Sequence, residues 1–278
     1  MSDRYAVFGN PVSHSKSPAI HAAFAAACNQ DLAYEAILVP LHGFAGSVRA
    51  FVAGGGCGAN VTLPFKQEAC RLATRLTPRA GLAGAVNTLF FDGPAWLGDN
   101  TDGAGLLRDL TQNLGCPIVG MRVLLLGAGG AARGVLGPLL EAGPRRLVIA
   151  NRTEASAHEL AARMPGAGAV SACSYPQLAG QSFDLLINAT SASLAGASLP
   201  LPDGLFARDS LAYDMMYGED ETPFLRLAGS RGAARLADGL GMLVEQAAEA
   251  FQLWRGVRPA TAPVLAMLRA GSRQTGSQ

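Results

Sequence analysis

The sequence predicts an α/β fold built on parallel sheets, in two domains or one large one. Three observations favour this class. The chain has 278 residues, of which 49% are hydrophobic and 15% are charged, and this is enough apolar chain for a sizeable core. Short apolar runs alternate with helical patterns along the chain, as they do in parallel sheets with crossover helices. One such run leads directly into a glycine loop that opens a helix.

Turn residues separate the strands and helices in the first part of the chain. The first apolar run stops at Gly9-Asn10-Pro11, and Pro18 suits a first helical turn. Asp92-Gly93-Pro94 marks the turn of a hairpin. In chain order we predict a strand at 5–9, a helix at 18–28, a strand at 34–39, a helix at 44–52, a strand at 59–63, a helix at 66–75, hairpin strands at 85–91 and 96–97, and a helix at 102–114.

The second part contains the clearest strand–helix–strand unit, centred on the glycine loop. Its last long helix is predicted from an amphipathic pattern of apolar residues. In chain order we predict a strand at 122–126, a helix at 131–141, a strand at 146–150, a helix at 153–164, strands at 184–189 and 211–215, and helices at 239–254 and 260–269.

Charge and cysteine usage exclude several classes of protein. The formal net charge is +1 and there is no dense run of cations, so nothing favours nucleic acid or a membrane surface as a partner. The five cysteines are scattered without a Cys-x-x-Cys pair, which argues against disulfides and metal sites. Without a secretory signal at the start or a long apolar span, we expect a cytoplasmic protein.

The glycine loop is the strongest general signal for a ligand. It follows an apolar strand and opens a helix in the pattern G-x-G-x-x-A, whose glycines permit a tight turn and a close approach to a pyrophosphate. We expect it to bind a dinucleotide through Gly127, Ala128, Gly129, Gly130 and Ala131, with Ala132 packing against the sheet.

The end of the next strand selects the cofactor. An acidic residue there would favour NAD, whereas this chain has Asn151-Arg152-Thr153. The guanidinium of Arg152 can bind a 2′-phosphate with charge-assisted hydrogen bonds, which favours NADP. The alternative is a solvated arginine at a helix start, where a cation opposes the helix dipole.

Polar clusters interrupt the apolar N-terminal half at strand ends, where ligands bind in open α/β sheets. They carry hydroxyls, amides, an amine and carboxylates, a set that suits a small polyhydroxy acid. One of them contains Lys66, and Lys66 and Lys16 are the two lysines among 22 cationic side chains. Each cluster also has a structural explanation, because Ser17 and Asp102 could cap helices and Asn87 could be a satisfied buried amide.

From Tyr5 to about Leu268 the chain resembles the shikimate dehydrogenase family, which includes shikimate/quinate dehydrogenases. The resemblance lies in Phe8-Gly9-Asn10-Pro11 with Ser13-His14-Ser15-Lys16-Ser17-Pro18, Gly58-Ala59-Asn60-Val61-Thr62 with Pro64-Phe65-Lys66, Gly84-Ala85-Val86-Asn87-Thr88, Gly98-Asp99-Asn100-Thr101-Asp102-Gly103, the glycine loop, Asn151-Arg152-Thr153, Asn188-Ala189-Thr190-Ser191, and Asp238-Gly239-Leu240-Gly241-Met242-Leu243 with Gln246.

The resemblance implies two α/β domains with a cleft between them. Residues 1–102 and 240–278 would form the substrate domain, and 103–239 a Rossmann-type NADP domain. The implied activity is the reversible, NADP-dependent oxidoreduction of shikimate and 3-dehydroshikimate in aromatic amino-acid (chorismate) biosynthesis. The implied partners are small molecules alone, and the protein would be a monomer or homodimer.

The resemblance also assigns roles to individual residues. Lys66 and Asp102 would be the catalytic pair, and Ser15 and Ser17 would hold the substrate carboxylate. The remaining substrate residues would be Thr62, Asn87, Tyr217 and Gln246. The cofactor residues would be the glycine loop 127–131 together with Asn151, Arg152, Thr153, Thr190, Met215 and Gly239.

Two positions depart from the pattern of the family. Ser156 stands where relatives usually carry a second arginine, so we expect a weaker hold on the 2′-phosphate. Ser193 stands where they usually carry glycine, in the loop expected to meet the nicotinamide.

Elementary chemistry agrees with these roles. Oxidising a secondary alcohol sends a hydride to the cofactor and a proton to a base, for which we select Lys66, with Asp102 orienting its amine. Three alternatives remain open: an NAD-using quinate/shikimate dehydrogenase, a non-catalytic sensor that resembles the family, and a Rossmann protein without a reaction.

Overall fold

The computed structural model describes residues 2–164, 170–193 and 196–275, with side chains as far as residue 271. The chain divides into two units, which are described separately. The first contains Met1–Gly105 and Leu243–Ala270, and the main part of the second is Leu106–Met242. Both units are built from strands and helices in alternation, which confirms the predicted α/β class.

The first unit is a mixed sheet of six strands with helices. Its elements are β1 (Asp3–Gly9), α1 (Ser17–Ala27), β2 (Leu32–Leu38), α2 (Phe44–Ala53), β3 (Gly56–Val61), α3 (Lys66–Leu72), β4 (Arg75–Leu76), α4 (Pro78–Ala83), β5 (Thr88–Asp92) and β6 (Ala95–Asp99). The strand order is β2-β1-β3-β5-β6-β4. Because β3 pairs antiparallel with β5 and β5 antiparallel with β6, the strands β1, β3 and β6 run in one direction.

The second unit is a fully parallel sheet of six strands. Helix α5 (Asp102–Arg108) carries the chain into it, followed by β7 (Arg122–Leu126), α6 (Gly130–Glu141), β8 (Arg146–Ala150), α7 (Glu154–Ala162), β9 (Val170–Cys173), β10 (Phe183–Asn188), β11 (Phe206–Asp214), α8 (Pro223–Ser230) and β12 (Arg235–Ala237). The strand order is β12-β11-β10-β7-β8-β9. Strands β8 and β9 therefore lie on one side of β7 and strands β10 to β12 on the other, as in a doubly wound dinucleotide-binding sheet. Helices α9 (Leu240–Arg255) and α10 (Ala262–Thr275) complete the chain.

Each unit has its own apolar core. In the first, Phe8, Val61 and Leu89 pack from the sheet against α2 and α3, and the rings of Phe44 and Phe65 stack at 5.1 Å. In the second, Leu124, Val148 and Leu186 from three neighbouring strands pack together on the sheet. The strand residues among these belong to the apolar runs from which the strands were predicted, so burial of the strands follows the sequence pattern directly.

Several predicted elements were wrong in extent. The helix predicted at 66–75 ends at Leu72, because Ala73 is extended and Arg75 begins the short strand β4. The strand predicted from residue 85 begins at Thr88. The helix predicted at 102–114 becomes a π-helical turn at Asp109–Asn113, where the Leu114 N–H reaches back to the Asp109 carbonyl at 2.9 Å.

Within the residues that the structure describes, the sequence prediction missed several short elements. Strands β4, β9 and β12 have two to four residues, too few to show a period. Helices α4 and α8 did carry a start signal, because Thr77 and Thr222 each cap a helix that begins with proline. Among the described residues, no helix is long and apolar enough to cross a membrane.

Candidate active site

Lys66 and Asp102 meet at the carboxyl ends of two strands that run in the same direction. Lys66 is the first residue of α3, which follows β3, and Asp102 is the first residue of α5, which follows β6. Asn87 lies just before β5, the antiparallel strand between them. The sheet therefore delivers all three side chains to one edge, where ligands bind in open α/β sheets.

The amine of Lys66 contacts the carboxylate of Asp102 directly. Their Nζ and Oδ2 atoms are 2.5 Å apart, and the two side chains are 15% and 8% exposed. The other oxygen of Asp102, Oδ1, accepts a hydrogen bond of 2.7 Å from Nδ2 of Asn87. The predicted catalytic pair is thus formed, and it keeps enough exposure for a substrate to reach the amine.

Asn87 is the centre of the polar cluster. Its Nδ2 also lies 3.0 Å from Oγ1 of Thr101 and 3.2 Å from Oε1 of Gln246, and its Oδ1 accepts from the Thr101 N–H at 2.8 Å. It is therefore a satisfied buried amide and, at the same time, a direct neighbour of the Asp102 carboxylate. The structural explanation is confirmed for this residue, and its contact with substrate stays a prediction.

Gln246 reaches the cluster from α9, far along the chain. A Cβ atom on Gly105 would lie 2.7 Å from the backbone nitrogen of Gln246, so only glycine allows α5 and α9 to approach this closely. The Gln246 Nε2 donates to the Leu243 carbonyl at 2.9 Å, which leaves Oε1 directed to Asn87 and Thr101. The sequence predicted that the last third of the chain returns to the proposed substrate residues. Within the first unit, Gln246 does contact Asn87 and Thr101.

Ser15, Ser17 and Thr62 lie after β1 and β3 at this same edge. The backbone N–H of Ser17 donates to Oγ of Ser15 at 3.3 Å, and the backbone N–H of Thr62 donates to the Phe8 carbonyl at 2.9 Å. The suggestion that Ser17 and Asp102 are N-caps was wrong. Each is the first residue of its helix, and Lys16 occupies the N-cap position of α1.

The sequence analysis missed a polar chain that joins Tyr34 to Asn87. The Tyr34 hydroxyl donates to Oδ1 of Asn60 at 2.8 Å. Nδ2 of Asn60 donates to Thr88 Oγ1 at 3.1 Å, and Thr88 donates to Asn87 Oδ1 at 2.9 Å. Burial raises the pKa of Tyr34 well above its usual value, so it remains a neutral donor. Asn60 and Thr88 stood in motifs noted above, whereas Tyr34 gave no signal, since an aromatic residue is expected in a strand.

The glycine loop has the geometry that a pyrophosphate requires. Gly127 has φ +107°, and a Cβ there would lie 3.1 Å from Thr190, so a side chain would be both strained and crowded. Around Gly129 and Gly130 an added Cβ would meet nothing within 4 Å, which leaves open space in front of the N-terminus of α6. Gly129 supplies no side-chain cap, so the first N–H groups of the helix are free to bind an anion.

Asn151, Arg152 and Thr153 stand between β8 and α7, as predicted for a cofactor site. Nδ2 of Asn151 donates to the Thr153 carbonyl at 2.9 Å, which holds the turn, and the Arg152 side chain is exposed. No acidic residue precedes Glu154 at this strand end. The residues present fit a cofactor that carries a 2′-phosphate.

Thr190, Met215 and Gly239 follow β10, β11 and β12, three neighbouring strands of the second sheet. Asn188 accepts through its Oδ1 from the Thr190 N–H at 3.0 Å, and its carbonyl accepts from the Met215 N–H at 2.9 Å. A Cβ on Gly239 would lie 2.2 Å from the Met215 carbonyl oxygen, which explains the glycine. Tyr217, predicted to contact substrate, lies in the second unit, burial raises its pKa, and its role stays a prediction.

Comparisons with known proteins match the chain along most of its length. Family models match as "Shikimate dehydrogenase substrate binding domain" at residues 7–89, "Shikimate / quinate 5-dehydrogenase" at 109–196 and "Shikimate 5'-dehydrogenase C-terminal domain" at 239–269. Shikimate dehydrogenase (NADP(+)) of Dechloromonas aromatica is 66% identical over 97% of this chain and 98% of its own. That of Nitrosospira multiformis is 62% identical over 97% and 98%.

Solved structures are similar over the same extent. Shikimate 5-dehydrogenase of Thermus thermophilus, in complex with NADP(H) and shikimate, has a TM-score of 0.85 and 34% identity, covering 98% of this chain and 99% of its own. The Ael1 enzyme of Pseudomonas putida has a TM-score of 0.90 and 53% identity, covering 96% and 98%.

Proposed function

The chain belongs to the shikimate dehydrogenase family, and we propose that Lys66 and Asp102 perform the proton transfer of its NADP-dependent reaction. The chain is an NADP-dependent oxidoreductase, and its reaction interconverts shikimate and 3-dehydroshikimate. The observation that carries the assignment is the contact of 2.5 Å between Lys66 Nζ and Asp102 Oδ2. It joins an amine and a carboxylate at the edge of the sheet where substrate is expected.

Lys66 is the group that moves the proton. The bound cofactor would supply a hydride acceptor in its oxidised form and a hydride donor in its reduced form. The Lys66 amine receives the hydroxyl proton as the alcohol becomes a ketone and returns it in the reverse reaction. Asp102 holds the amine in place, and Asn87 in turn fixes the carboxylate through its second oxygen. The pair thus keeps its geometry while the amine changes its protonation state.

The rest of the polar cluster supports binding of a small polyhydroxy acid. Thr62, Asn87 and Gln246 offer hydroxyl and amide groups for the ring hydroxyls. Ser15 and Ser17, at the N-terminus of α1, offer hydroxyl groups for the carboxylate, where the helix dipole also favours a negative charge. Tyr217 of the second unit completes the proposed set.

The second unit supports binding of the cofactor. The pyrophosphate would lie on Gly127–Ala131 at the start of α6, and the exposed Arg152 would bind the 2′-phosphate together with Thr153. Asn151, Thr190, Met215 and Gly239 complete the cofactor set. Residues 1–102 with 240–278 would act as the substrate domain and 103–239 as the NADP domain. We place the enzyme in the cytoplasm, as a monomer or homodimer.

The direct test of this function is the rate at which the reduced cofactor, NADPH or NADH, forms with each pairing of shikimate or quinate with NADP or NAD. We expect the highest kcat/KM with shikimate and NADP. Quinate has an extra tertiary hydroxyl on a saturated ring, which a pocket fitted to shikimate should reject. Equal turnover of quinate would contradict the substrate assignment. A wild-type preference for NAD would contradict the cofactor assignment, and no turnover with any pairing would favour a sensor.

A further inference from the structure

We propose that Ser193 and Asp214 are positioning residues for the nicotinamide end of the cofactor. Together they fasten the loop that carries Thr190 to the strand end that carries Met215. The inference rests on the proposed function, because it takes NADP as the bound cofactor. All the residues concerned lie in the second unit.

Asp214 is the anchor of this arrangement. It is the last residue of β11 and is fully buried. Its Oδ2 accepts hydrogen bonds of 2.6 Å from both the Ser193 and the Thr222 hydroxyls, and its Oδ1 accepts from Asn188 Nδ2 and the Met216 N–H at 3.0 Å each. The described donors to this carboxylate are all neutral groups. Hydrogen bonds to a buried charge are shorter and stronger than neutral ones, so each hydroxyl contributes strongly to holding its own segment in place.

Ser193 closes a ring of hydrogen bonds around the loop after β10. Its Oγ donates to Asp214 and accepts from Asn188 Nδ2 at 3.3 Å. Asn188 uses its other side-chain atom, Oδ1, to accept from both the N–H and the hydroxyl of Thr190, at 3.0 and 2.7 Å. The conformation of Thr190 is therefore fixed from one side by Asn188, whose own amide is held by Ser193 and Asp214.

The sheet topology places this ring beside the nicotinamide half of a bound dinucleotide. In a doubly wound sheet the two halves on either side of the first strand each bind one nucleotide. The half formed by β7 and β8 carries Arg152, which reads the 2′-phosphate of the adenosine. The half formed by β10 and β11, which carries the ring, is left for the nicotinamide nucleotide. Gly127 supports this placement, because a Cβ there would contact Thr190.

If Ser193 positions the nicotinamide half of the cofactor site, its loss has a consequence that a general loss of protein stability would not have. Loss of the Ser193 hydroxyl should loosen the loop at Thr190 while leaving Arg152 and the start of α6 unchanged. Binding of the complete cofactor should then weaken, whereas binding of its 2′-phosphorylated adenosine part should not. Thr222 donates to the same oxygen, but it also caps α8, so Ser193 is the cleaner position to change.

The test is equilibrium binding of NADPH and of adenosine 2′,5′-bisphosphate to Ser193→Ala. We expect the Kd for NADPH to rise roughly 2- to 30-fold, the usual range for coupling through a positioning residue, while the Kd for the bisphosphate stays constant. Ser193→Thr keeps the hydroxyl and should restore NADPH binding. Ser230→Ala is the matched control, since it removes an exposed hydroxyl in the same unit, whose hydrogen bond goes to the Leu227 carbonyl.

Two results would overturn the inference alone: an unchanged Kd for NADPH in Ser193→Ala, or equal weakening of both ligands, which would mean a general loss of structure. If the wild-type protein bound neither ligand, the proposed function would fail and the inference would fail with it. Wild-type binding of both ligands therefore separates the two cases.

Discussion

Asn87 donates a hydrogen bond of 2.7 Å to the oxygen of Asp102 that Lys66 does not contact. The carboxylate is thereby held from both sides, by a cation on Oδ2 and by an amide on Oδ1. Asn87 belongs to a short apolar strand signal and Asp102 to a helix start, so their contact depends on the antiparallel strand β5 that lies between β3 and β6.

Replacement of Asn87 by alanine should lower kcat/KM for shikimate. The variant loses a hydrogen bond to a charged group, worth about 1.5 to 3 kcal/mol, which corresponds to roughly a 10- to 150-fold loss. Steady-state kinetics with saturating NADP measure it. Asn113→Ala removes a similar amide bond, to Asp109 at 2.9 Å in the second unit, and should keep kcat/KM near wild type. Equal losses in the two variants would mean that Asn87 acts only through stability.

His21 should make the first unit sensitive to acid. The imidazole is fully buried and stacks on the Tyr34 ring at 4.3 Å, and burial lowers its pKa from 6.5 to about 3. Below pH 6.5 the His21 imidazole binds a proton in the unfolded chain but stays neutral in the folded chain. The free energy of unfolding therefore falls as the pH drops towards 3. We expect His21 to lower the free energy of unfolding by about 1.4 kcal/mol between about pH 8 and about pH 5.5.

Denaturant unfolding of His21→Leu at several pH values measures this contribution. The variant should lose less stability than wild type on acidification, whatever its stability at neutral pH. Phe24→Leu changes a neighbouring buried ring of the same helix that cannot titrate and should keep the wild-type slope. A His21→Leu slope equal to that of wild type would show that His21 is not held neutral by burial.

Cofactor choice should depend on Arg152 and be limited by Ser156. Arg152→Ala should reduce the ratio of kcat/KM for NADP over NAD, mainly by weakening NADP, because it removes the cation expected to bind the 2′-phosphate. Ser156→Arg should raise the ratio by roughly 2- to 30-fold, since a charged hydrogen bond exceeds a neutral one by about 0.5 to 2 kcal/mol. Initial rates with both cofactors measure it. If Arg152→Ala left the ratio unchanged, Arg152 would not be a residue that binds the 2′-phosphate.

The sequence predicted the strand, loop and helix around the glycine motif better than the short edge strands, for a physical reason. The strand, glycine loop and helix at 122–141 are local: Gly127 needs its positive φ, and the apolar run before it is buried on both faces of a parallel sheet. The short strands β4 and β12 exist only because neighbouring strands offer hydrogen bonds to them. Such pairing is a property of the folded sheet, and two or three residues carry no period from which to predict it.

In the candidate site, too, the sequence predicted some features and not others. Lys66, Asn87 and Asp102 stand in polar motifs at strand ends, so the sequence could single them out. Their mutual distances could not be predicted, because they depend on strand order. The contributions of Tyr34 and Asp214 were invisible for a different reason. A tyrosine in a strand and an acid at a strand end have common structural roles, and only the partners of their oxygen atoms distinguish them.

The most direct test of the account is the turnover of shikimate with NADP by Lys66→Met, which keeps most of the stem and removes the amine. General acid–base catalysis is worth roughly 10²- to 10⁴-fold, so kcat should fall by that factor while the KM for shikimate and the Kd for NADPH change little. Lys66→Arg should also be poor, because a guanidinium does not give up its proton. A Lys66→Met enzyme with kcat within about threefold of wild type would contradict the role of Lys66 in proton transfer.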